Sequence, residues 1–382
     1  MDTPTHQETS HPFLLGVNYW PMHKAMYWWK DFDAAEVDEE FGVIESLHLN
    51  AVCIFLLWED FQPASDHVSK TALTNLRTVC DLPAQHHLKL NITLFTGHMR
   101  GPNWAPAWLL DASDEKIPTP YLRQLVSDGK VVKSGYRNPY TDPLILDAER
   151  LLLRTVVSAL KDHPTVWVWN LGNEPNLFAW APDANTGQGW VREMSAMIRE
   201  LDPVHEVGCG CGLHTGNLFA DTGLRVDGVF AETDYAAMHA YPMYTSFVRQ
   251  PLDPDFVPFT CALTAALSGK PTLIEEWGGC TTTPGNPSEI WNWTAYDRTR
   301  EQFMASEEDL ADYIESVLPK LLEVGATGSL LWCYADYSQD LWNRPPCDES
   351  RHERFFGLVR PDGSLKPHAE VIKRFAQTQP AV

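Results

Sequence analysis

Residues 166–175 read VWVWNLGNEP, an apolar run that ends in a polar Asn-Glu pair. The run shows no strict apolar–polar alternation, which is typical of a parallel strand covered on both faces. Asn173 and Glu174 follow it directly, so they project polar groups from the carboxyl end of that strand. Residues 270–278, KPTLIEEWG, repeat the pattern, because an apolar run again closes on carboxylates. The two stretches predict parallel strands that bring acidic side chains to the same edge of a sheet.

Short apolar runs of this kind alternate with amphipathic segments along the chain, which is typical of βα units. We expect eight strands, beginning at Leu14, Asn50, Leu90, Val166, Val204, Tyr235, Pro271 and Gly328. Eight such units predict an α/β protein with a single (β/α)8 TIM barrel. Residues 1–12 are predicted to form a flexible N-terminal tail, and residues 13–378 one catalytic barrel domain.

Helical periodicity fills several of the gaps between the predicted strands. The clearest apolar stripes are Val37, Phe41, Ile44 and Leu47 after the predicted N-cap Asp33; Trp190, Met194, Met197 and Leu201; and Leu310, Ile314, Val317, Leu321 and Val324. Two connections, 97–143 and 279–305, are too long for simple turns, and the first contains a predicted hairpin around residues 127–130. Both follow the carboxyl ends of strands, where barrels build their active sites.

Composition narrows the classes of partner. The net charge of −22 argues against nucleic acid and against a lipid headgroup surface, since both require a basic face. No stretch approaches the roughly 18 apolar residues of a membrane span, and the polar start predicts no secretory signal, so we expect a cytoplasmic protein with free thiols. A neutral substrate is favoured, and the 15 tryptophans favour a sugar, whose C–H faces suit flat aromatic rings. Oligomeric state stays open.

Two strand-end glutamates that face each other across a barrel suit glycoside hydrolysis. This reaction needs one carboxylic acid to protonate the leaving oxygen and one carboxylate on the opposite side of the anomeric carbon. Two carboxyl groups about 5–5.5 Å apart act through a covalent intermediate with retention. Because side chains alternate along a strand, we expect only one of Glu275 and Glu276 to point inward.

The ordered set of motifs resembles glycoside hydrolase family 5 and its superfamily of barrel glycosidases. The motifs are Asn-Glu on the fourth strand, His239-Ala-Tyr241 on the sixth, Glu-Trp-Gly on the seventh and Trp332 on the eighth. The resemblance implies a TIM barrel in which Glu174 is the catalytic acid/base. It also selects Glu276 as the nucleophile over Glu275, because the family's catalytic residue immediately precedes the aromatic-Gly pair.

The same resemblance implies roles for further residues. Asn173 is expected to bind the 2-hydroxyl of the cleaved sugar, Tyr241 to hydrogen-bond Glu276, and His239 to lie nearer Glu174. Trp332 is expected to form the floor under the sugar. The other predicted substrate-binding residues are His98, Trp58, Glu59 and Trp20.

One position departs from the family pattern. Family 5 enzymes usually carry a strand-two arginine that supports the nucleophile, whereas this chain has Cys53 there. Losing a guanidinium next to Glu276 would raise the pKa of that carboxylate. Either another cation such as Arg100 compensates, or the enzyme is weak.

The segments around residues 16–29 and 55–63 resemble branches of the family that contain exo-acting β-mannosidases. We therefore expect a retaining exo-β-mannosidase acting on short oligosaccharides. The alternatives are an endo-β-mannanase, another β-glycosidase (β-glucosidase or β-galactosidase) and a sugar-binding pseudoenzyme. No metal is expected, because the 14 histidines show no ligand spacing such as H-E-x-x-H. No cofactor is expected either, since the chain lacks G-x-G-x-x-G and P-loop patterns.

Overall fold

A ring of parallel strands forms the centre of the computed structural model, which describes residues 13–111, 124–210 and 222–379. The strands are β1 Leu14–Asn18, β2 Ala51–Leu57, β3 Lys89–Thr96, β4 Val166–Gly172, β5 Glu206–Gly208, β6 Ala236–His239, β7 Thr272–Gly278 and β8 Gly328–Trp332. They pair in the order β5-β4-β3-β2-β1-β8-β7-β6, and the pairings are all parallel. Near the gap between β5 and β6, the Asp234 amide donates to the Val207 carbonyl at 2.9 Å. The nearly closed barrel confirms the predicted fold class.

Among the residues that the structure describes, eight helices alternate with these strands. They are α1 Ala34–Ser46, α2 Lys70–Asp81, α3 Pro143–Leu160, α4 Ala184–Leu201, α5 Val226–Ala231, α6 Phe256–Ser268, α7 Glu307–Glu323 and α8 Pro367–Ala376. Two shorter helices, Trp58–Phe61 and Pro175–Phe178, follow β2 and β4 directly. The three predicted apolar stripes therefore lie on helices α1, α4 and α7 or at their carboxyl ends.

Local side-chain chemistry sets the helix ends. The Asp33 carboxylate accepts a hydrogen bond from the Ala35 amide at 3.0 Å, which confirms the predicted N-cap of α1. At the start of α7, Ser306 accepts from the Asp309 amide at 3.0 Å, and three acidic residues in the first turn favour the positive end of the helix dipole. Caps of this kind contribute about 1 kcal/mol each. Gly325, with φ of 76°, follows α7 in the left-handed conformation that glycine adopts without strain.

The two long connections build extra strands above the carboxyl ends of the barrel. After β3, strands Leu125–Ser127 and Lys130–Val132 pair around a two-residue turn, confirming the predicted hairpin. Asp128 and Gly129 both have positive φ there, as a type I′ turn requires. Strands Asn103–Trp104, Leu110–Asp111 and Gly135–Tyr136 complete this connection.

After β7, strands Glu289–Ala295 and Arg298–Met304 form a second antiparallel hairpin. We call residues 289–304 the wall hairpin. The sequence did not predict it, because its turn residues Tyr296 and Asp297 lack the usual Asn-Gly or Asp-Gly signature.

The predicted N-terminal tail, residues 1–12, lies outside the described residues. Within the described part of the chain, no helix combines the length and apolar character needed to cross a membrane. The cysteines that the structure describes are buried, as is common for small apolar side chains.

Candidate active site

Glu174 sits at the carboxyl end of β4 in a strained backbone conformation. Its φ and ψ are 45° and 51°, a left-handed conformation that is rare for residues other than glycine. The Glu174 amide donates to the Gly210 carbonyl at 3.1 Å, which ties this turn to the end of β5. The adjacent Pro175 opens a short helix, so the chain turns away immediately after the carboxylate. Strain of this kind clusters at functional sites because the surrounding structure must hold it in place.

The end of β7 carries Glu275 and Glu276, and both point into the barrel. The expectation that only one would do so is wrong, because the strand register shifts between Ile274 and Trp277 opposite β8. This bulge breaks the alternation of side chains. Glu276 lines the pocket at the barrel mouth.

Glu275 lies deeper, in the interior of the barrel. Its Oε1 accepts from Asn91 Nδ2 at 2.5 Å and from Asn170 Nδ2 at 2.9 Å. Its backbone carbonyl accepts from Asn18 Nδ2 at 2.9 Å. Burial raises the pKa of Glu275, and these amide donors oppose that effect. Glu275 is therefore part of a hydrogen-bonded support beneath the pocket.

Steric constraints require glycine at the end of the Glu-Trp-Gly motif. Gly278 has φ of 144°, and a Cβ built on it would lie 2.8 Å from the carbonyl oxygen of Trp332. Any other residue would therefore push β7 away from β8 and displace Trp332 or Glu276.

His239, at the end of β6, lies between the two candidate catalytic carboxylates. Its Nδ1 is 3.1 Å from Glu174 Oε1 and 3.2 Å from Glu276 Oε2. Burial alone would lower the pKa of His239, but the negative charges of Glu276 and Glu174 outweigh burial and raise it to about 9. Both carboxylates therefore favour the charged form of the imidazole, which lies between them rather than beside Glu174 alone.

The two oxygens of Glu276 have different surroundings. Tyr241 donates its hydroxyl to Oε2 at 3.1 Å, the same oxygen that faces His239. Oε1 has no hydrogen-bond partner among the described residues. Burial and the charge of Glu174 raise the pKa of Glu276 to about 8, while His239 and the Tyr241 hydroxyl act in the opposite direction.

The basic side chain next to Glu276 is His239, and Arg100 has no contact with Glu276 among the described residues. Cys53 is fully buried on β2, with Sγ 3.4 Å from Thr93 Oγ1. Arg100 Nη1 instead donates to Glu353 Oε2 at 3.0 Å. The imidazole of His239 faces Glu276 from β6, whereas the strand-two position holds a buried thiol.

Above these groups opens a cavity of about 610 Å³. Its floor includes the two glutamates and Trp332, and one side is built by the wall hairpin through Trp293 and Arg300. Trp293 Nε1 donates to the carbonyl of Glu349 at 2.7 Å, and Arg300 Nη2 donates to the Glu349 carboxylate at 2.7 Å. The wall hairpin is therefore fastened to the loop after β8. A volume of this size is typical of small-molecule sites.

Most of the predicted site residues meet in this cavity. The ones that line it are His98, Asn173, Glu174, Tyr241, Glu276 and Trp332. His98 Nε2 lies 3.5 Å from Glu174 Oε2, while its backbone carbonyl accepts from Asn173 Nδ2 at 3.0 Å. His239 supports the cavity from beneath.

Three predicted substrate-binding residues lie elsewhere. Trp20 is buried and stacks on Phe55 at 5.3 Å between ring centroids. Trp58 is buried and donates its indole N–H to Gln62 at 2.9 Å. Glu59 accepts from the amide of Asp128 at 2.7 Å, and so holds the tip of the hairpin after β3. Their side chains serve packing and loop anchoring.

Sequence reasoning missed the residues that follow β8. Glu353, His352 and Ser350 line the cavity, as do Arg300 and Gln302 of the wall hairpin. The polar segment after the last strand could have indicated these residues, because loops that follow the carboxyl ends of barrel strands build the active site.

One cluster offers metal-ligating atoms within the described residues. Ligand atoms of Glu174, His239 and Glu276 lie within 4.8 Å of one another. The same atoms already contact one another, since His239 Nδ1 lies 3.1 Å from Glu174 Oε1 and 3.2 Å from Glu276 Oε2. The arrangement is suited to proton transfer and nucleophilic attack.

A barrel whose fourth and seventh strands each deliver a buried glutamate to one pocket has the architecture of a barrel glycoside hydrolase. Residues 123–379 match the family model described as glycosyl hydrolases family 2, TIM barrel domain. The chain therefore belongs to this family, and it is a glycoside hydrolase. The match confirms both the predicted barrel and the predicted enzyme class.

Curated relatives carry mannan-related names. Probable mannan endo-1,4-beta-mannosidase F from Aspergillus flavus is 27% identical over 154 residues, covering 36% of this chain and 32% of its own. Mannan endo-1,4-beta-mannosidase 7 from Oryza sativa subsp. japonica is 26% identical over 207 residues, covering 51% of this chain and 49% of its own. The chain thus spans about a third to a half of the length of these relatives.

Solved structures share the fold over almost the whole chain. A GH5_18 protein from Streptomyces cattleya, in complex with Manb1-4GlcNAc, has a TM-score of 0.75 at 19% identity, covering 96% of this chain and 80% of its own. The exo-beta-1,4-mannosidase from Opitutaceae bacterium strain TAV5 has a TM-score of 0.74 at 24% identity, covering 96% and 59%. The endo-beta-1,4-mannanase from Thermotoga petrophila has a TM-score of 0.63 at 16% identity, covering 96% and 77%. These neighbours include the family 5 designation expected from the motifs.

Proposed function

We propose that this glycoside hydrolase is a retaining exo-β-mannosidase, which removes terminal β-mannosyl residues from short oligosaccharides by double displacement. The observation that carries the retaining assignment is the approach of the Glu174 and Glu276 carboxylates. One oxygen from each lies within 4.8 Å of the other, with His239 between them. Such a separation suits a nucleophile and an acid/base, whereas inverting enzymes hold their carboxyl groups about 6.5–9.5 Å apart to admit water.

Glu276 acts as the nucleophile in this proposal. Tyr241 and His239 contact its Oε2 and so fix the orientation of the carboxylate that attacks the anomeric carbon. The imidazolium and the phenolic O–H stabilise the ionised carboxylate before attack. They also stabilise it as the leaving group when the covalent glycosyl-enzyme breaks down.

Glu174 acts first as acid and then as base. In the first step its proton passes to the glycosidic oxygen while the C–O bond to the leaving sugar breaks. In the second step its carboxylate takes a proton from the water that attacks the anomeric carbon, and this restores the starting state. The negative charge of Glu276 favours the protonated form of Glu174 at the start of the cycle.

The wall hairpin supports exo action. It lines one side of the cavity and is fastened through Trp293 and Arg300 to the loop after β8, an arrangement that favours a pocket over an open groove. The mannosyl preference is supported by the names of the curated relatives and of the structural neighbours. An endo-β-mannanase is the alternative that the curated relatives' names favour.

One set of assays tests the proposal. Release of 4-nitrophenol from the β-mannoside, β-glucoside and β-galactoside identifies the sugar, and turnover of mannobiose against polymeric mannan separates exo from endo action. Proton NMR of the first-formed anomer reports the stereochemistry, and a 2-deoxy-2-fluoro-mannosyl fluoride should label Glu276. Turnover of glucoside but not mannoside would contradict the mannosidase assignment; an α-anomer as first product would contradict retention. Sugar binding without turnover of any glycoside would favour a pseudoenzyme.

A further inference from the structure

The loop after β8 places a third carboxylate in the cavity. Glu353 lies in a short 3-10 turn, Arg351–Phe355, and its side chain lines the same space as the catalytic pair. Its Oε2 accepts from Arg100 Nη1 at 3.0 Å and from the Trp332 indole N–H at 3.4 Å. The carboxylate is therefore held against the edge of the tryptophan that forms the sugar floor.

Arg100 makes this arrangement rigid. Its guanidinium is fully buried and stacks on the rings of Trp332 and Tyr337, at 4.3 and 4.5 Å from their centroids. It also donates to the backbone carbonyl of Glu353 at 2.9 Å and to Cys333 Sγ at 2.6 Å. A buried guanidinium paired in this way fixes the orientation of its partner. Loops after β3 and β8 are thus joined at the floor of the cavity.

The second oxygen of Glu353 has unused acceptor capacity. Oε1 lies 3.6 Å from His352 Nε2, which is beyond hydrogen-bond distance, and it has no other partner among the described residues. It borders a cavity where a sugar ring would lie on Trp332 with its hydroxyl groups at the ring's edge. A carboxylate oxygen next to hydroxyl donors forms charge-assisted hydrogen bonds.

We propose that Glu353 is a specificity-determining residue, which accepts hydrogen bonds from hydroxyls of the terminal sugar ring remote from its anomeric carbon. The inference rests on the proposed function, since the anomeric carbon must lie between Glu174 and Glu276. No contact joins Glu353 to either of these residues among those described, so Glu353 faces another part of the ring. Glu353, held in place by Arg100, then discriminates between sugars by the positions of their hydroxyl groups, while Glu174 and Glu276 cleave the glycosidic bond.

The test combines one variant with a series of altered sugars. Kinetics of wild type and Glu353→Gln are measured on 4-nitrophenyl β-mannoside and on its 3-, 4- and 6-deoxy analogues. Loss of the hydroxyl that meets Glu353 should lower kcat/KM of wild type by about 10- to 100-fold, the range for hydrogen bonds to a charged group. Glu353→Gln should lose a similar factor on the parent sugar and show little further loss on that one analogue. Asp340→Asn, an exposed charge in the same loop, should behave as wild type.

Two outcomes overturn the inference. If each deoxy analogue lowers kcat/KM by the same factor in wild type and in Glu353→Gln, Glu353 is only a structural support of Arg100 and Trp332. Absence of a penalty for all three analogues in wild type would lead to the same conclusion, and that result does not depend on the variant's folding. If wild type instead hydrolyses the glucoside, the proposed function fails by itself, and the deoxy series of that sugar still tests Glu353.

Discussion

Replacing His239 by asparagine tests whether the imidazolium stabilises the ionised Glu276 carboxylate in a chain that lacks the strand-two arginine. The variant removes a buried cation whose Nδ1 lies 3.1 and 3.2 Å from the two catalytic carboxylates. Asparagine is neutral and smaller, and its amide can still donate to one carboxylate. The change therefore removes charge more than it removes hydrogen bonding.

The size of the effect follows from distance and burial. Two unit charges 3.2 Å apart interact by about 5 kcal/mol at an effective dielectric constant of about 20, which is an upper figure. Net contributions of hydrogen bonds to charged groups are about 1.5–3 kcal/mol, or about 1–2 pH units. The His239 cation lowers the pKa of Glu276, so removing it raises that pKa. Because Glu276 must be ionised to attack, the acid limb of kcat/KM should move up by about 1–2 units.

The alkaline limb should move in the same direction, because the cation also favours loss of the proton from Glu174. The two limbs of the pH profile report macroscopic pKa values of the coupled pair Glu174 and Glu276. The expected result is therefore a bell-shaped profile of kcat/KM displaced towards higher pH. The assay is kcat/KM on an aryl β-mannoside from pH 4 to 10, with thermal unfolding to verify the fold. Tyr241→Phe is the matched control: it removes one hydrogen bond to Glu276 but no charge, so it should shift the acid limb by less than His239→Asn does. A His239→Asn profile that superimposes on wild type would refute the reasoning.

Three further predictions concern the acid, the wall and stability. Glu174→Gln should lower kcat by about 10²–10⁴ on a disaccharide but much less on a dinitrophenyl glycoside, whose leaving group needs no proton; equal losses would contradict its role as acid. Trp293→Ala removes the hydrogen bond to the Glu349 carbonyl and should raise the ratio of mannan to mannobiose hydrolysis. An unchanged ratio would contradict the proposal that the wall hairpin restricts the site to chain ends. Burial lowers the pKa of His368 to about 3, so unfolding takes up a proton at this residue below about pH 6.5, and the contribution of His368 to stability should be about 2 kcal/mol lower at pH 5 than at pH 8. Urea unfolding should show that His368→Gln loses this part of the pH dependence; an identical loss in the variant would contradict it.

Several features of the fold could be predicted because their causes are local. A strand buried on both faces is apolar along most of its length, so β4 and β7 can be recognised in the sequence as short apolar runs that end in carboxylate side chains. The Asp33 cap and the hairpin turn at Asp128 and Gly129 depend on chemistry within four residues. Tryptophan content was less informative, because the same residue type fills the core at Trp20 and Trp58 and lines the cavity at Trp293.

The amino-acid sequence by itself determined the order of strands, the strand ends that carry Asn173 and Glu174, and the absence of an arginine at Cys53. Only the tertiary structure decided that Glu275 and Glu276 both point inward, because strand register depends on the neighbouring strand β8. It likewise decided that His239 lies between two carboxylates and that Arg100 holds Glu353 against Trp332. Arg100 and Glu353 are 253 positions apart in the chain, and His239 and Glu174 are 65 apart. No local pattern encodes contacts over such distances.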